Sequence, residues 1–164
     1  MKIRKPNQEI FVKVSALLSS AFPKSQYEAK LVEQFHDNET PIHEWVCIHT
    51  NKVVGYIAFS NAYDGDQICG LHLAPMAVTP TFQRQGLGSD LLNFALRQEL
   101  IKNSPIFVLG NPKFYKRFGF EPCTVPLCPF AQKNKHFLAL RNTTSTQFTI
   151  GYEPEFDPIK KIIR

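Results

Sequence analysis

What this chain lacks narrows its chemistry before any motif is read. No apolar run approaches the length of a membrane span. Lys2, Arg4 and Lys5 open the chain without the apolar stretch and cleavage site of a signal peptide, so a cytoplasmic location and no membrane partner are expected. No low-complexity tract and no internal repeat break the 164 residues, of which 43% are apolar. Disorder is not expected; one domain spanning residues 1–164, with a sizeable core, is. The four cysteines form no metal-site pattern. Cys47 and Cys69 lie in strand-like apolar runs and read as small buried hydrophobes, while Cys123 and Cys128 have no matching Cys or His pair at zinc-site spacing. Neither a metal nor a structural disulfide is expected. The net charge is +5, but the basic residues are scattered and the densest group, Lys160, Lys161 and Arg164, reads as a solvated tail. A nucleic-acid partner is not expected.

What is there is organised around the stretch from Leu73 to Ser89. An apolar strand-like run ends at Val78, a short polar turn carries Pro80, and Gly86 and Gly88 open a Leu, Phe and Ala run that reads as a helix to about Leu100. Amides at a helix start have no partner within the helix, and the peptide dipoles add partial positive charge there. Such a turn binds anions, phosphate above all. Gly86 and Gly88 let a phosphate approach the backbone closely, and Arg84 adds a full positive charge. The nucleotide signatures that use this device are absent. No Gly-Lys-Ser/Thr follows the turn, and Leu91 stands where the dinucleotide fingerprint needs its third glycine.

Along the chain, Ile3 and Arg4 read as an edge strand and Asn7 as the N-cap of an amphipathic helix carrying Ile10, Phe11, Val14, Leu17, Leu18 and Ala21. Phe22-Pro23 ends it. A second helix is expected from about Gln26 to His36 with Tyr27, Leu31, Val32 and Phe35 inward, then a linker from Pro41 to His43. Trp45 to Ile48 and Val53 to Phe59 form a hairpin, and a strand from Ile68 to Val78 runs into the glycine turn. Ile106 to Leu109 follows the helix as a strand parallel to the one ending at Val78, by right-handed crossover. Asn111-Pro112 opens a short helix that ends at Gly119, and further strands are expected near Phe137 to Leu140 and Phe148 to Tyr152. The order implies an α/β protein with a mixed, mostly antiparallel sheet, one parallel strand pair and helices on both faces.

Three segments together carry a resemblance. Gln83-Arg84-Gln85-Gly86-Leu87-Gly88, after the strand Met76-Ala77-Val78, resembles the pyrophosphate loop of the GCN5-related N-acetyltransferases. Leu109 to Phe120, with Tyr115-x-x-Phe118-Gly119-Phe120, is similar to that family's later strand, short helix and Tyr-x-x-Phe-Gly-Phe ending. Gly151-x-x-x-x-Phe156, with Tyr152 inside, is similar to the C-terminal strand of the YhbS-like bacterial subgroup. The resemblance runs from about residue 8 to residue 156.

The resemblance implies the acyl-CoA N-acyltransferase fold, with its parallel strand pair splayed, and transfer of an acetyl group from acetyl-CoA to an amine of a small molecule or protein. It implies that Met76, Ala77 and Val78 line the pantetheine arm, with the main chain of Ala77 and Val78 pairing with it, and that Gln83, Arg84, Gln85, Gly86, Leu87, Gly88 and Ser89 surround the pyrophosphate. A basic face suits that anionic cosubstrate. Tyr115 matches the family's general acid, against the alternative of a packing tyrosine. A phenol of pKa about 10 stays protonated at neutral pH and can donate to sulfur. The amide of Ala77 or Val78 is the implied oxyanion donor. For the base, His72 stands on the strand near where several relatives place a glutamate, and the YhbS-like proteins usually carry a small or apolar residue there. A hydrogen-bonded core histidine is the other reading, with Glu44, Glu28 or a water chain as competing bases. Asn111 either contacts the pantetheine arm, positions Tyr115, or only caps its helix. Glu28 stands on a helix that in the family walls the acceptor site, and otherwise reads as a solvated carboxylate pairing with Lys24 or Lys30. A catalytically weak acetyl-CoA-binding regulatory module is the alternative function. Either a monomer or a homodimer, paired through an exposed C-terminal strand, is open.

Overall fold

In the computed structural model, residues 1–130 and 135–157 are described; the basic group Lys160, Lys161 and Arg164 lies outside them. The elements follow in the order β1 (Lys2–Arg4), α1 (Gln8–Ala21), α2 (Tyr27–Asp37), β2 (Ile42–His49), β3 (Lys52–Asp64), β4 (Gln67–Val78), α3 (Leu87–Leu96), β5 (Ile106–Leu109), α4 (Pro112–Tyr115), β6 (Glu121–Pro122) and β7 (Phe137–Leu140). The seven strands are hydrogen-bonded in the order β1-β2-β3-β4-β5-β7-β6. β4 and β5 are parallel, pairing Leu71 with Ile106 and His72 with Phe107; β1 with β2, β5 with β7 and β6 with β7 are antiparallel. Among the described residues no helix is long and apolar enough to cross a membrane.

The described residues form two compact units. The first comprises Met1–Phe59 and Pro75–Lys102. Asn7 caps α1 by accepting a hydrogen bond from the Ile10 amide, and Ile10, Val14, Leu17 and Leu18 face inward at helical spacing. With Ala29 and Val32 of α2 they bury Val46, Tyr56, Ala58 and Ala77. Val78, one residue on, packs with Cys47, Val54 and Leu87 of α3. Successive strand side chains point to opposite faces, so α1 and α2 cover one face of this part of the sheet and α3 the other. The second unit comprises Ser60–Ala74 and the described residues from Asn103 onward. Its core joins Ala62, Phe107, Cys123, Cys128, Phe137, Ala139 and Ile150.

Three expectations need correction. Residues 42 and 43 belong to β2 rather than a linker; Pro41 sits at the strand's threshold, where a missing N–H is tolerated. α3 ends at Leu96, because the Arg97 and Gln98 amides bond back to Phe94 and Ala95 and tighten the last turn. That turn buries Ile101 and leaves Leu100 58% exposed. From Phe148 to Tyr152 there is no strand but two isolated bridges, Leu127 with Thr149 and Tyr63 with Gly151. The segment changes partner between rungs, so no ladder builds and the strand invoked for a dimer is absent.

Candidate functional site

In the first unit, the backbone at the start of α3 takes the shape of an anion cradle. Gly86 is its N-cap, left-handed at φ 84°, and no side chain caps the helix. A Cβ on Gly86 would have no atom within 4 Å, so the space above this turn is open. Arg84 also adopts a positive φ, 65°, an arrangement that costs a non-glycine residue about 1 kcal/mol or more. Two glutamines hold the turn: Gln83 Nε2 donates to the Val78 carbonyl at 2.9 Å and Gln85 Nε2 to the Thr81 carbonyl at 3.0 Å. Gln83, Arg84, Gln85 and Gly86 are exposed, Gly88 and Ser89 half-buried, and Leu87 buried in the core. The glutamines expected to touch the ligand thus have loop-shaping bonds of their own, and Leu87 offers only its amide.

The strand that feeds this turn presents one usable main-chain edge. The Thr79 amide donates to the Val54 carbonyl of β3. Main-chain groups alternate sides along a strand, so Ala77 also faces β3, while Met76 and Val78 face the other edge. The Gln83 bond to the Val78 carbonyl agrees with that direction. Met76 and the Val78 N–H are therefore directed away from β3 and Ala77 toward it, which does not fit the main-chain role expected of Ala77.

In the second unit, Tyr115 ends α4 and is 7% exposed. Burial alone pushes its phenol up to about 12, so it holds its proton across the physiological range. Its ring packs edge-on against Phe114 and Phe120. Gly110 lies so close that a Cβ there would stand 2.3 Å from the ring. Asn111 caps α4, its side chain accepting from the Lys113 amide at 3.0 Å; of its three readings, this is the one the geometry displays.

His72 sits elsewhere in that unit. It is 1% exposed, stacked on Tyr152 at 3.5 Å with 4° between the rings, and its Nε2–H donates to the Gly151 carbonyl at 3.0 Å. Burial drives its pKa down to about 3. This is the setting of a neutral core histidine, and it corrects the expectation of a base open to an amine. The carboxylates missed or left as competitors lie in the first unit. Glu44 accepts from the Tyr56 hydroxyl at 2.7 Å and from His36 Nε2 at 2.8 Å; burial, and after it the neighbouring Glu44 charge, drives the Tyr56 phenol well above its ordinary range. Tyr56 lies in an apolar run, so nothing in the sequence marked it as polar machinery. Glu28 is half-buried, not solvated, and forms no ion pair with Lys24 or Lys30.

The fold and this cradle define an acyltransferase-type domain, and the comparisons agree. The family model for the acetyltransferase (GNAT) domain matches residues 41–122, half of the 164-residue chain, and the chain belongs to that family. The match takes in both the α3 cradle and the Tyr115 segment. The N-acetyltransferase YjhQ of Escherichia coli (strain K12), itself uncharacterized, is 35% identical over 58% of this chain and 56% of its own length. YhbS of the same organism is 32% identical over 66% of each chain, so the matched part spans between about half and two thirds of these curated relatives. The crystal structure of Escherichia coli YhbS in complex with CoA superposes with a TM-score of 0.83 at 25% identity, covering 95% of this chain and 91% of that one. A GNAT family acetyltransferase from Brucella melitensis in complex with acetyl-CoA gives 0.79 at 25% identity, covering 95% and 97%.

Proposed function

We propose that this chain transfers the acetyl group of acetyl-CoA to an amine of a small molecule or protein, as a cytoplasmic monomer or homodimer. The observation that carries the reading is the exposed, uncapped start of α3 with left-handed Gly86 and Arg84 beside it, the backbone form that binds phosphate. The two superposable structures that hold CoA or acetyl-CoA support it. In this reading the Leu87 and Gly88 amides and the Arg84 guanidinium hold the pyrophosphate, and the free edge at Met76 and Val78 pairs with the pantetheine amides. The acceptor amine attacks in its neutral form. The Val78 N–H, the one of the two expected donors directed away from β3, meets the carbonyl oxygen as it gains charge. Tyr115 gives its proton to the sulfur as the C–S bond breaks and the amide C–N bond forms. Release of free thiol from acetyl-CoA, followed against a panel of primary amines, tests the activity. Amine-dependent thiol release is expected, and its absence with every acceptor, despite tight acetyl-CoA binding, would overturn the transferase reading.

A further inference from the structure

Charges of both signs line one cleft of the first unit without neutralising one another. The cleft has a volume of about 330 Å³ and lies among β1, the start of α1 and the β2–β3 hairpin. Arg4, Glu9 and Lys13 line it, and all three are exposed. Glu9 and Lys13 stand one turn apart on α1, acid first, the spacing and order at which a helix pairs opposite charges. Lys13 reaches elsewhere: its Nζ donates to the Asn51 carbonyl at 3.2 Å, in the turn between β2 and β3. Neither Arg4 nor Glu9 forms an ion pair among the described residues. One cation and one anion on the same cleft are thus left for a visitor.

The rest of the lining is apolar. Ile10 is buried, and Ile48 and Val53 are half-buried. All three belong to the packing of α1 and α2 on the sheet. Their strand neighbours Cys47 and Val54 pack with Leu87 of α3 on the other face. The cleft therefore opens on the sheet face opposite the one that α3 covers, apart from the cradle assigned to the acyl donor. A small cleft with an apolar floor and a few placed polar groups is the usual form of a small-molecule site. The planar fork of an arginine matches a carboxylate, and a glutamate accepts from an ammonium.

We propose that this cleft binds a free α-amino acid with an apolar side chain, its carboxylate on Arg4, its ammonium on Glu9 and its side chain over Ile10, Ile48 and Val53. The site is distinct from the acyl-donor site, and the proposal does not rest on the transferase reading.

The test is calorimetric titration of leucine into the full chain with no acyl donor present, so that turnover plays no part. Isocaproate, which lacks the ammonium, and isoamylamine, which lacks the carboxylate, are titrated beside it. Leucine is expected to bind at least ~10-fold more tightly than either analogue, the scale of one charge-assisted hydrogen bond. Arg4→Gln and Glu9→Gln, both on the surface, keep Tm and each lower leucine affinity by ~10-fold or more. Leucine that fails to bind at millimolar concentration, binds no better than the two analogues, or binds both variants as it binds the wild-type chain overturns the proposal. Coenzyme A affinity, titrated on the same samples, is expected to be unchanged in both variants. A parallel loss of coenzyme A affinity would make the cleft part of the acyl-donor site and overturn the proposal as well. Failure of the wild-type chain to bind coenzyme A counts against the transferase reading alone, because the leucine titration is read independently of it.

Discussion

The turn from Gln83 to Ser89 and the helix that carries Tyr115 work through opposite parts of the chain. At the turn the groups proposed to bind are backbone amides, beside a left-handed, solvent-exposed Gly86. At α4 the group proposed to act is one side chain, pressed against Gly110, Phe114 and Phe120. The difference teaches where each is vulnerable. A main-chain site tolerates changes of side chain and fails when backbone shape or charge changes. A side-chain site fails when one atom is removed, and its surroundings set that atom's proton affinity.

Substitutions can sharpen or break this contrast. The largest effect is expected from Tyr115→Phe, which removes the proposed proton donor and keeps the packing. kcat in the thiol-release assay should fall by ~10²–10⁴-fold, with coenzyme A affinity and Tm little changed. A loss confined to affinity would remove Tyr115 from the chemistry. Next comes Gly86→Asp, which sets a negative charge and a strained backbone at the anion cradle. Coenzyme A affinity by titration calorimetry should drop on the order of 100-fold, and unchanged affinity would sink the cradle assignment. Gly110→Ala puts a methyl 2.3 Å from the Tyr115 ring, and urea unfolding should show a loss of about 1–3 kcal/mol from overpacking. A neutral result would mean that the ring moves freely.

The fourth effect is on acid stability. His72 binds its proton less readily folded, at about 3, than unfolded, at 6.5. Between those values the unfolded chain holds more protons, so its contribution is intact above the unfolded pKa and is lost as pH falls through the window. The slope from this one residue approaches about 1.4 kcal/mol per pH unit, and His72→Phe should flatten the acid limb of the stability curve. The smallest effect is expected from Arg84→Gly. It relieves the positive φ of 65° while removing one charge, so Tm should hold or rise slightly as coenzyme A affinity falls by a factor of a few.

The same contrast explains what was legible in the residues. Backbone features leave short local signatures: Gly86 and Gly88 after an apolar strand mark the turn into α3, with Gly86 at φ 84°, and Tyr115-x-x-Phe118-Gly119 marks a short helix closed by a left-handed cap, as Gly119 at φ 95° bears out. Helices α1 and α2 read directly from their apolar spacing. Burial is not local, and there the reading failed. His72 looks the same in sequence whether it faces an amine or stacks beneath Tyr152. Tyr56 hides in an apolar run until Glu44 reaches its hydroxyl.

By itself, then, the order of residues determined α1, α2, α4, the parallel strand pair around α3 and the glycine turn, because each depends on contacts a few positions apart or on the backbone freedom of one residue. Only tertiary structure decided that His72 is buried, that Met76 and Val78 direct their main chain away from β3, and that Glu44 is hydrogen-bonded to Tyr56 and His36 while Glu28 Oε2 has no partner among the described residues. Those outcomes depend on which distant groups are brought within hydrogen-bond reach and how much water packing removes, and neither quantity is written in any short run of the chain.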